Sequence, residues 1–288
     1  MARSRFRRPD DALPPLRWTP RDDAILADVA RLGHCLIEHL QALHFPSYKT
    51  AAERAMKLFH HGYLARAPLP AERGQPTMVH TLAPGGVAHL ANAGVPSTVP
   101  APLSVEALRH ALDVTAAVVA FLAASPPSGT VVRFIDRTLA PLRDGGAIRP
   151  DAAVLIETPT RRMRRLVLLD IDRPDAPEAL AQRVQAWLAW TRQPPPALEA
   201  WIGALLTAHA VPADSVRAQL SLAWLGGGSD RLAQIATTLR QAGAARLIYL
   251  ADLEALVAQG GFAPLWQRAD ALGTGRPLVS VLGDAGRR

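Results

Sequence analysis

Apolar residues recur at helical spacing in three successive segments near the N-terminus. The first segment begins at the N-cap residue Thr19, keeps an apolar residue at every third or fourth position and ends at Gly33. A shorter segment of the same kind covers residues 36–45, and a third begins at Ser47 and ends at Gly62. Three helices with such tight connections predict a helix-turn-helix.

Two short strand-like runs follow, residues 63–69 and 77–84, and the polar segment between them contains glycine and proline. This pattern is typical of the wing of a winged helix, so residues 47–61 become the recognition helix and Arg73 lies at the tip of the wing. The outward residues of that helix are suited to phosphates and base edges in a major groove; they are Ser47, Tyr48, Lys49, Thr50, Glu53, Arg54 and Lys57. Winged helices also bind proteins, so protein contact stays open as an alternative.

The second half of the chain has a different pattern. After a Pro-rich segment at 96–102 and an amphipathic helical segment at 104–124, runs rich in Val, Ile and Leu, such as "AAVLIE" and "RLVLLDID", predict strands buried on both faces. Helical segments follow these runs, which predicts an α/β fold (α+β overall) in which a mixed α/β domain with a central sheet follows the winged helix. We therefore divide the chain into a flexible basic arm (1–17), a winged-helix domain (18–95), a linker with a connecting helix (96–128) and the α/β domain (129–288).

Basic residues give the chain a formal charge of +7. Such a charge indicates an anionic partner such as nucleic acid, although arginines in place of lysines also fit a GC-rich genome. All but two of the 32 basic residues are arginines, the exceptions being Lys49 and Lys57. An arm with Arg3, Arg5, Arg7 and Arg8 either tracks phosphates or only keeps the protein soluble, and the segment 158–165, which we interpret as a hairpin turn, adds Arg161, Arg162, Arg164 and Arg165 as phosphate contacts.

Compartment signals point to the cytoplasm. No apolar run approaches the roughly 18 residues of a membrane span, and the N-terminus has the charges of a signal peptide without its hydrophobic stretch. The single cysteine, Cys35, fits a reducing compartment. We expect a cytoplasmic protein without a membrane partner.

Three carboxylates stand at the ends of two predicted strands. Asp170 and Asp172 are two residues apart, so on a strand they project from the same face, and Asp151 begins the strand that we expect to pair with theirs. Three carboxylates in one place repel each other, and either a divalent cation or nearby arginines such as Arg173 or Arg183 would neutralise them. Both alternatives stay open.

The order of several segments resembles the replication-relaxation family, which is associated with plasmids and other mobile elements. These segments are "WTPRDDAIL", "FPSYKTAAERAMKLFHHGYLAR", "HTLAPGGVAHLA", "LRHALDV", "IRPDAAVLI", "LLDIDR" and "RVQAWLAW". The resemblance spans nearly the whole chain. It implies a winged helix followed by a domain similar to the PD-(D/E)xK nuclease fold, with a role in plasmid replication, relaxation or transfer.

The same resemblance implies roles for individual residues. Pro150-Asp151 matches the PD of the motif, Asp170 stands where the family usually has Glu, and Asp172 occupies the position where nucleases of this fold keep lysine. Arg183 falls where the family places a basic residue, four before an aromatic residue, and Asp136 where an upstream acid is expected. In such nucleases Mg²⁺ or Mn²⁺ would lie on Asp151 and Asp170, but arginine cannot act as a general base at neutral pH.

Three functions are consistent with this sequence. The leading hypothesis is a DNA-binding protein of a plasmid or mobile element, with double-stranded DNA as partner and a degenerate nuclease-like domain. The alternatives are a Mg²⁺-dependent nicking enzyme, with Asp151, Asp170, Asp172 and Arg183 as its catalytic residues, and an accessory protein that binds a relaxase or replication initiator. A homodimer is compatible with each of them.

Overall fold

The computed structural model describes residues 13, 15–70, 76–124, 130–135, 150–158, 163–172, 177–192, 195–208, 218–273 and 275. The chain divides into two compact units, residues 1–119 and residues 120–288. The boundary lies within the helix Val105–Leu122 (α5). The described residues contain no helix with both the length and the hydropathy that a membrane span requires.

The first unit begins with three helices, α1 (Pro20–Leu32), α2 (Ile37–His44) and α3 (Tyr48–His60). An antiparallel hairpin of β1 (Leu64–Leu69) and β2 (Thr77–Leu82) follows, and then α4 (Pro84–Asn92). Helices α1 and α3 begin where the sequence predicts: Asp22 at the third position of α1 accepts hydrogen bonds from the backbone N–H and hydroxyl of Thr19, and the Ser47 hydroxyl caps α3. Three helices and a hairpin in this order form the predicted winged helix-turn-helix.

The core of the first unit lies between these helices and the hairpin. Helix α1 buries Leu26 and Val29, and α3 buries Ala55 and Leu58. Helix α4 packs closely on the turn before β1, because a methyl group at Gly86 would lie only 2.4 Å from the carbonyl oxygen of Tyr63. This close approach explains why glycine stands there.

The second unit contains a six-stranded sheet in the order β3-β4-β5-β6-β7-β8. Its strands are β3 (Val131–Ile135), β4 (Ala152–Thr158), β5 (Met163–Ile171), β6 (Ala218–Gly226), β7 (Ile248–Asp252) and β8 (Gln267–Arg268). Strands β3, β4 and β5 pair antiparallel, β5, β6 and β7 pair parallel, and β8 joins β7 antiparallel. The parallel strands need crossovers, which contain α6 (Pro177–Thr191) and α7 (Pro195–Ala208) before β6 and α8 (Gly228–Gln241) before β7. A last helix, α9 (Leu253–Gln259), follows β7.

Burial explains the Val/Ile/Leu-rich strands. All seven residues of β4 are buried, as are Leu166 to Ile171 of β5. A hydrophobic core joins the sheet to the helices, and it includes Leu155, Leu166, Trp187, Leu188, Trp224 and Ile235. The predicted α/β class is confirmed, with a mixed sheet at the centre of the second unit.

One detail of the sequence interpretation was wrong. The hairpin turn does not extend to residue 165, because β5 begins at Met163 and places Arg164 and Arg165 in the sheet.

Candidate functional site

The predicted carboxylates meet at one end of strands β4 and β5. Asp151 directly precedes β4, and the antiparallel pairing brings it beside the end of β5, where its Oδ2 accepts a hydrogen bond of 2.9 Å from the backbone N–H of Ile171. Asp170 is the next-to-last residue of β5, and Asp172 follows the strand. The structure therefore brings together the three residues that the sequence singles out.

Asp170 is enclosed by two side chains of helix α6. Arg183 and Trp187 are four residues apart, so they lie on the same face of that helix. Arg183 Nη2 donates to one carboxylate oxygen of Asp170, and Trp187 Nε1 donates to the other at 2.8 Å. Only 7% of Asp170 is exposed. Burial raises the pKa of Asp170 to about 6, with a further contribution from the charge of Asp151, although Arg183 opposes this shift.

Asp172 has a partner from another helix. Arg231, in the first turn of α8, donates from Nε to Asp172 Oδ2 at 2.6 Å and from Nη2 to Oδ1 at 3.1 Å. Arg183 Nη1 lies 3.9 Å from Asp172 Oδ1, and the Arg183 guanidinium lies 4.8 Å from the ring centre of Trp224. Arg183 thus bridges Asp170 and Asp172 while it stacks on an aromatic ring.

This arrangement does not fit Mg²⁺ or Mn²⁺. A divalent ion on Asp151 and Asp170 would have to approach a carboxylate that Arg183 already contacts, and the charge of this guanidinium would repel the ion. The guanidinium of Arg183 supplies the positive charge that a metal would bring. In the part of the chain that the structure describes, no group of three or more His, Cys, Asp or Glu side chains could hold a metal ion. Of the two alternatives for neutralising the carboxylates, the geometry fits arginine pairing.

Arg231 is the functional candidate that sequence reasoning missed. It stands 59 residues after Asp172, and no local motif connects them. The available signal was topological: Arg231 opens a helix just after a strand that is parallel to β5, so the two residues lie at the same edge of the sheet. Arg173 and Asp136, the other residues considered for this site, lie outside the described residues.

The outward side of α3 is the second candidate surface. Tyr48, Lys49, Thr50 and Lys57 are exposed, with 52% of Tyr48 accessible, and Glu53 is exposed beside them. Ser47 caps the helix: its hydroxyl accepts from the backbone N–H of Thr50. This side of the helix therefore presents two lysines and two hydroxyl groups.

Arg54 does not belong to this outward set. Its Nε donates to Asp22 Oδ1 at 2.5 Å, and its Nη2 donates to the backbone oxygen of Arg17 at 2.8 Å. Burial alone would raise the pKa of Asp22, but hydrogen bonds from Arg54 and Thr19 hold it below its usual value. Arg54 therefore connects α3 to α1 through a contact between residues that are 32 positions apart in the sequence.

The arginines assigned to the hairpin turn occupy a different environment from the one expected. Arg164 Nε donates to Glu157 Oε1 at 2.9 Å on the neighbouring strand, and Arg165 Nη1 donates to Ser221 Oγ at 3.0 Å. Arg165 is 1% exposed, and burial lowers its pKa to about 10. These two side chains lie inside the second unit, away from any phosphate at its surface. Arg73, Arg161, Arg162 and the basic arm lie outside the described residues.

The comparison with known proteins finds a structural neighbour but no matching family model. No family model matches the sequence, and no curated protein does. Among solved structures, the restriction endonuclease FokI matches with a TM-score of 0.31 and 13% sequence identity. The match covers 83% of this chain and 44% of that chain, so this protein spans less than half the length of the FokI structure.

Proposed function

We propose that this protein binds double-stranded DNA through the outward side of α3, and that its carboxylate cluster does not cleave DNA. The observation that carries the proposal is the exposed set Tyr48, Lys49, Thr50 and Lys57 on the third helix of a winged helix-turn-helix. This is the helix that enters the major groove in proteins with this arrangement of elements.

The chemistry of this surface suits nucleic acid. Lysine side chains on one helix can neutralise phosphates on both sides of a groove, and the hydroxyl group of Tyr48 can donate to phosphates or base edges. The Thr50 hydroxyl donates to the backbone oxygen of Ser47 at 2.9 Å and can accept from base edges. The contact of Arg54 with buried Asp22 fixes α3 on the rest of the unit, so binding would order only surface side chains. Glu53 in the same face would disfavour phosphates at its own position and favour a cytosine amino group there.

Support for the absence of cleavage comes from the second unit. A metal-dependent nicking enzyme would bind its ion at Asp170, where the guanidinium of Arg183 already lies and would repel a second cation. Arginine remains protonated at neutral pH, so Arg183 cannot replace the lysine that helps activate water. We propose that the cluster stabilises the edge of the sheet where β5 meets α6 and α8.

The biological setting of the proposal comes from the sequence resemblance. The replication-relaxation family suggests a plasmid or mobile element, and replication, relaxation of plasmid DNA or transfer as the process. A relaxase or replication initiator would be the protein partner in that setting.

Binding of a labelled duplex to the whole protein, followed by fluorescence anisotropy at several salt concentrations, tests the proposal. We expect the affinity of the wild type to fall steeply between about 50 and about 200 mM salt. The double variant Lys49→Ala/Lys57→Ala should reduce the slope of log K against log salt by ~0.9 for each phosphate that the removed lysines neutralise. Arg31→Ala is the matched control, because Arg31 is an exposed cation of the same unit on α1. Equal losses of affinity in the two variants, or binding that ignores salt, would contradict α3 as the DNA-binding element.

A further inference from the structure

A cavity of about 430 Å³ lies in the first unit beside the recognition helix. Its walls come from α2, from α3, from both strands of the hairpin and from Pro76 before the second strand. On α3 the lining residues are Tyr48, Ala52 and Met56, which are four apart and therefore share one face. Cavities of this volume hold small organic molecules.

The position of the cavity relates it to the proposed DNA-binding surface. Lys49, Glu53 and Lys57 follow the three lining residues of α3 by one position each, so they occupy the adjacent face of the same helix. Tyr48 belongs to both surfaces, because it lines the cavity and is half exposed. A molecule in the cavity would therefore touch the helix that we propose to enter the groove.

Two polar side chains of the hairpin give the cavity its chemical character. Arg66 on β1 donates from Nη1 to the sulfur of Met56 at 2.8 Å, and its guanidinium lies 5.2 Å from the ring centre of Phe59. This guanidinium also lines the cavity, so a carboxylate or phosphate bound there would accept charge-assisted hydrogen bonds from it.

His80 on β2 is the second polar group. It is 2% exposed, it lines the cavity, and its Nδ1 has no hydrogen-bond partner among the described residues. Burial and, to a lesser extent, the nearby charge of Arg66 lower the pKa of His80 to about 4. The backbone groups of Cys35 and Met78 oppose this shift, and the imidazole is neutral at pH 7. A buried polar atom without a partner is destabilising, and a bound hydrogen-bonding group can offset this effect.

Five of the other eight lining residues are apolar: Ile37, Ala52, Met56, Pro76 and Met78. One charged group of opposite sign, Glu38, also lines the cavity, but it is exposed to solvent. Water screens an exposed carboxylate, whereas Arg66 is half-buried, so the cavity favours an anionic group over a cationic one.

We propose that this cavity binds a small molecule that joins one carboxylate or phosphate group to a compact apolar body, and that its occupancy changes the DNA affinity of α3. Arg66 would take the anionic group, His80 would take a hydrogen bond, and the methionines would cover the apolar body. The second half of this proposal rests on the proposed function, and the first half does not.

Benzoate is a suitable first probe, and ligand-observed NMR on the whole protein measures its binding. We expect benzoate to bind wild type and benzamide, its neutral counterpart, to bind about tenfold more weakly, because benzamide cannot form the charge-assisted hydrogen bond. Arg66→Gln should weaken benzoate by a similar factor, and Ala52→Phe should abolish binding by filling the cavity. Arg31→Gln and Ala42→Phe are the matched controls, since both residues are exposed in the same unit away from the cavity lining. Circular dichroism checks the fold of each variant.

Several results would overturn the site. Benzoate that does not bind at millimolar concentration, that binds folded Arg66→Gln as tightly as wild type, or that is outcompeted by the cationic benzylamine is incompatible with it. If Arg66→Gln does not fold, Ala52→Phe decides: unchanged benzoate binding to that variant would also overturn the site.

Coupling to DNA is measured separately, at constant ionic strength. We expect saturating benzoate to change the duplex Kd by at least about fivefold, and DNA to change the benzoate Kd by the same factor, because linkage is reciprocal. An unchanged duplex Kd would overturn the proposed coupling to DNA binding but would not contradict the cavity site. A protein that binds benzoate but no duplex at any salt concentration contradicts the proposed function and not the cavity site.

Discussion

Arg231 holds the carboxylate of Asp172 with two hydrogen bonds, although the two residues belong to elements that are separated by a long stretch of chain. The Asp172 side chain is almost fully buried, and Arg231 is mostly buried. Together with Arg183 and Asp170, this pair joins the end of β5 to the helices that cover the sheet. In this arrangement the four side chains connect the end of β5 to α6 and α8.

Removal of the Arg231 side chain should destabilise the second unit. Arg231→Ala leaves a buried carboxylate without its two donors, and we expect a loss of ~3 kcal/mol in the free energy of unfolding. Arg231→Lys should recover only part of this, because lysine cannot make the two-pronged contact. Urea unfolding followed by tryptophan fluorescence provides the measurement. Arg246→Ala is the control, since its 62% exposed side chain pairs with Asp270 at the surface and should matter by under ~1 kcal/mol.

Asp170 should make stability depend on pH in an unusual direction. Its folded-state pKa of about 6 lies above the ordinary value of 3.8, so the folded protein binds the proton more tightly than the unfolded chain does. The stabilisation from protonation is complete below about pH 4 and is lost as the pH rises through 6. We expect wild type to gain stability relative to Asp170→Asn as the pH falls from about 6 to about 4, with a slope of at most ~1.4 kcal/mol per pH unit.

The comparison of wild type with Asp170→Asn isolates this group from the other carboxylates. A flat difference between the two proteins would mean that the pKa of Asp170 is ordinary. A difference of the opposite sign would mean that attraction by Arg183 outweighs burial.

Supercoiled plasmid should keep its topology in the presence of this protein. We expect no relaxation with Mg²⁺ or Mn²⁺, and no difference between wild type and Asp151→Ala, because the guanidinium of Arg183 at Asp170 would repel a metal ion. Agarose gels with EDTA as the reference measure this directly. Metal-dependent relaxation that disappears in Asp151→Ala would establish the nicking alternative, and the arrangement of Arg183 would then have to open in the active state.

Two glycines on helices should respond to the same substitution in opposite ways. Gly86→Ala would place a methyl group 2.4 Å from the Tyr63 carbonyl oxygen and 2.7 Å from Leu82 Cδ1, so we expect a loss of ~2 kcal/mol in the stability of the first unit. Gly203→Ala, at an exposed position of α7, meets none of the described residues within 4 Å and should stabilise its unit by about 0.5–1 kcal/mol. Thermal unfolding of both variants tests the close packing of α4. Two similar shifts would show that the packing at Gly86 is relaxed in solution.

Local signals were sufficient for much of this fold. Caps at Thr19 and Ser47 and the apolar spacing behind them predicted the helices of the first unit, and the strand-end carboxylates predicted that Asp151 and Asp170 would meet. The features that the sequence did not reveal are mostly contacts between residues that lie far apart in the chain. Arginine is usually exposed, so Arg54 was assigned to the surface until the structure brought it to Asp22.

Arg164 and Arg165 illustrate the same limit in the sheet. A run of arginines between two apolar segments is typical of a turn. Burial of Arg164 is favourable because the pairing of β4 with β5 places Glu157 opposite it. Burial of Arg165 is favourable because the parallel strand β6 supplies Ser221 as its partner. Glu157 lies only seven residues before Arg164 but becomes its partner only in this alignment of the strands. Ser221 is 56 residues away from Arg165, so the local sequence does not identify it.

The buried pair of Glu157 and Arg164 has a consequence for how the sheet forms. Strand β4 is apolar along nearly its whole length and buried on both faces, so hydrophobicity alone would accept several alignments against β5. Sliding one strand along the other would separate a carboxylate from its guanidinium inside the protein, a loss of several kcal/mol. We therefore expect this pair to favour the observed alignment of β4 and β5 over mispaired ones.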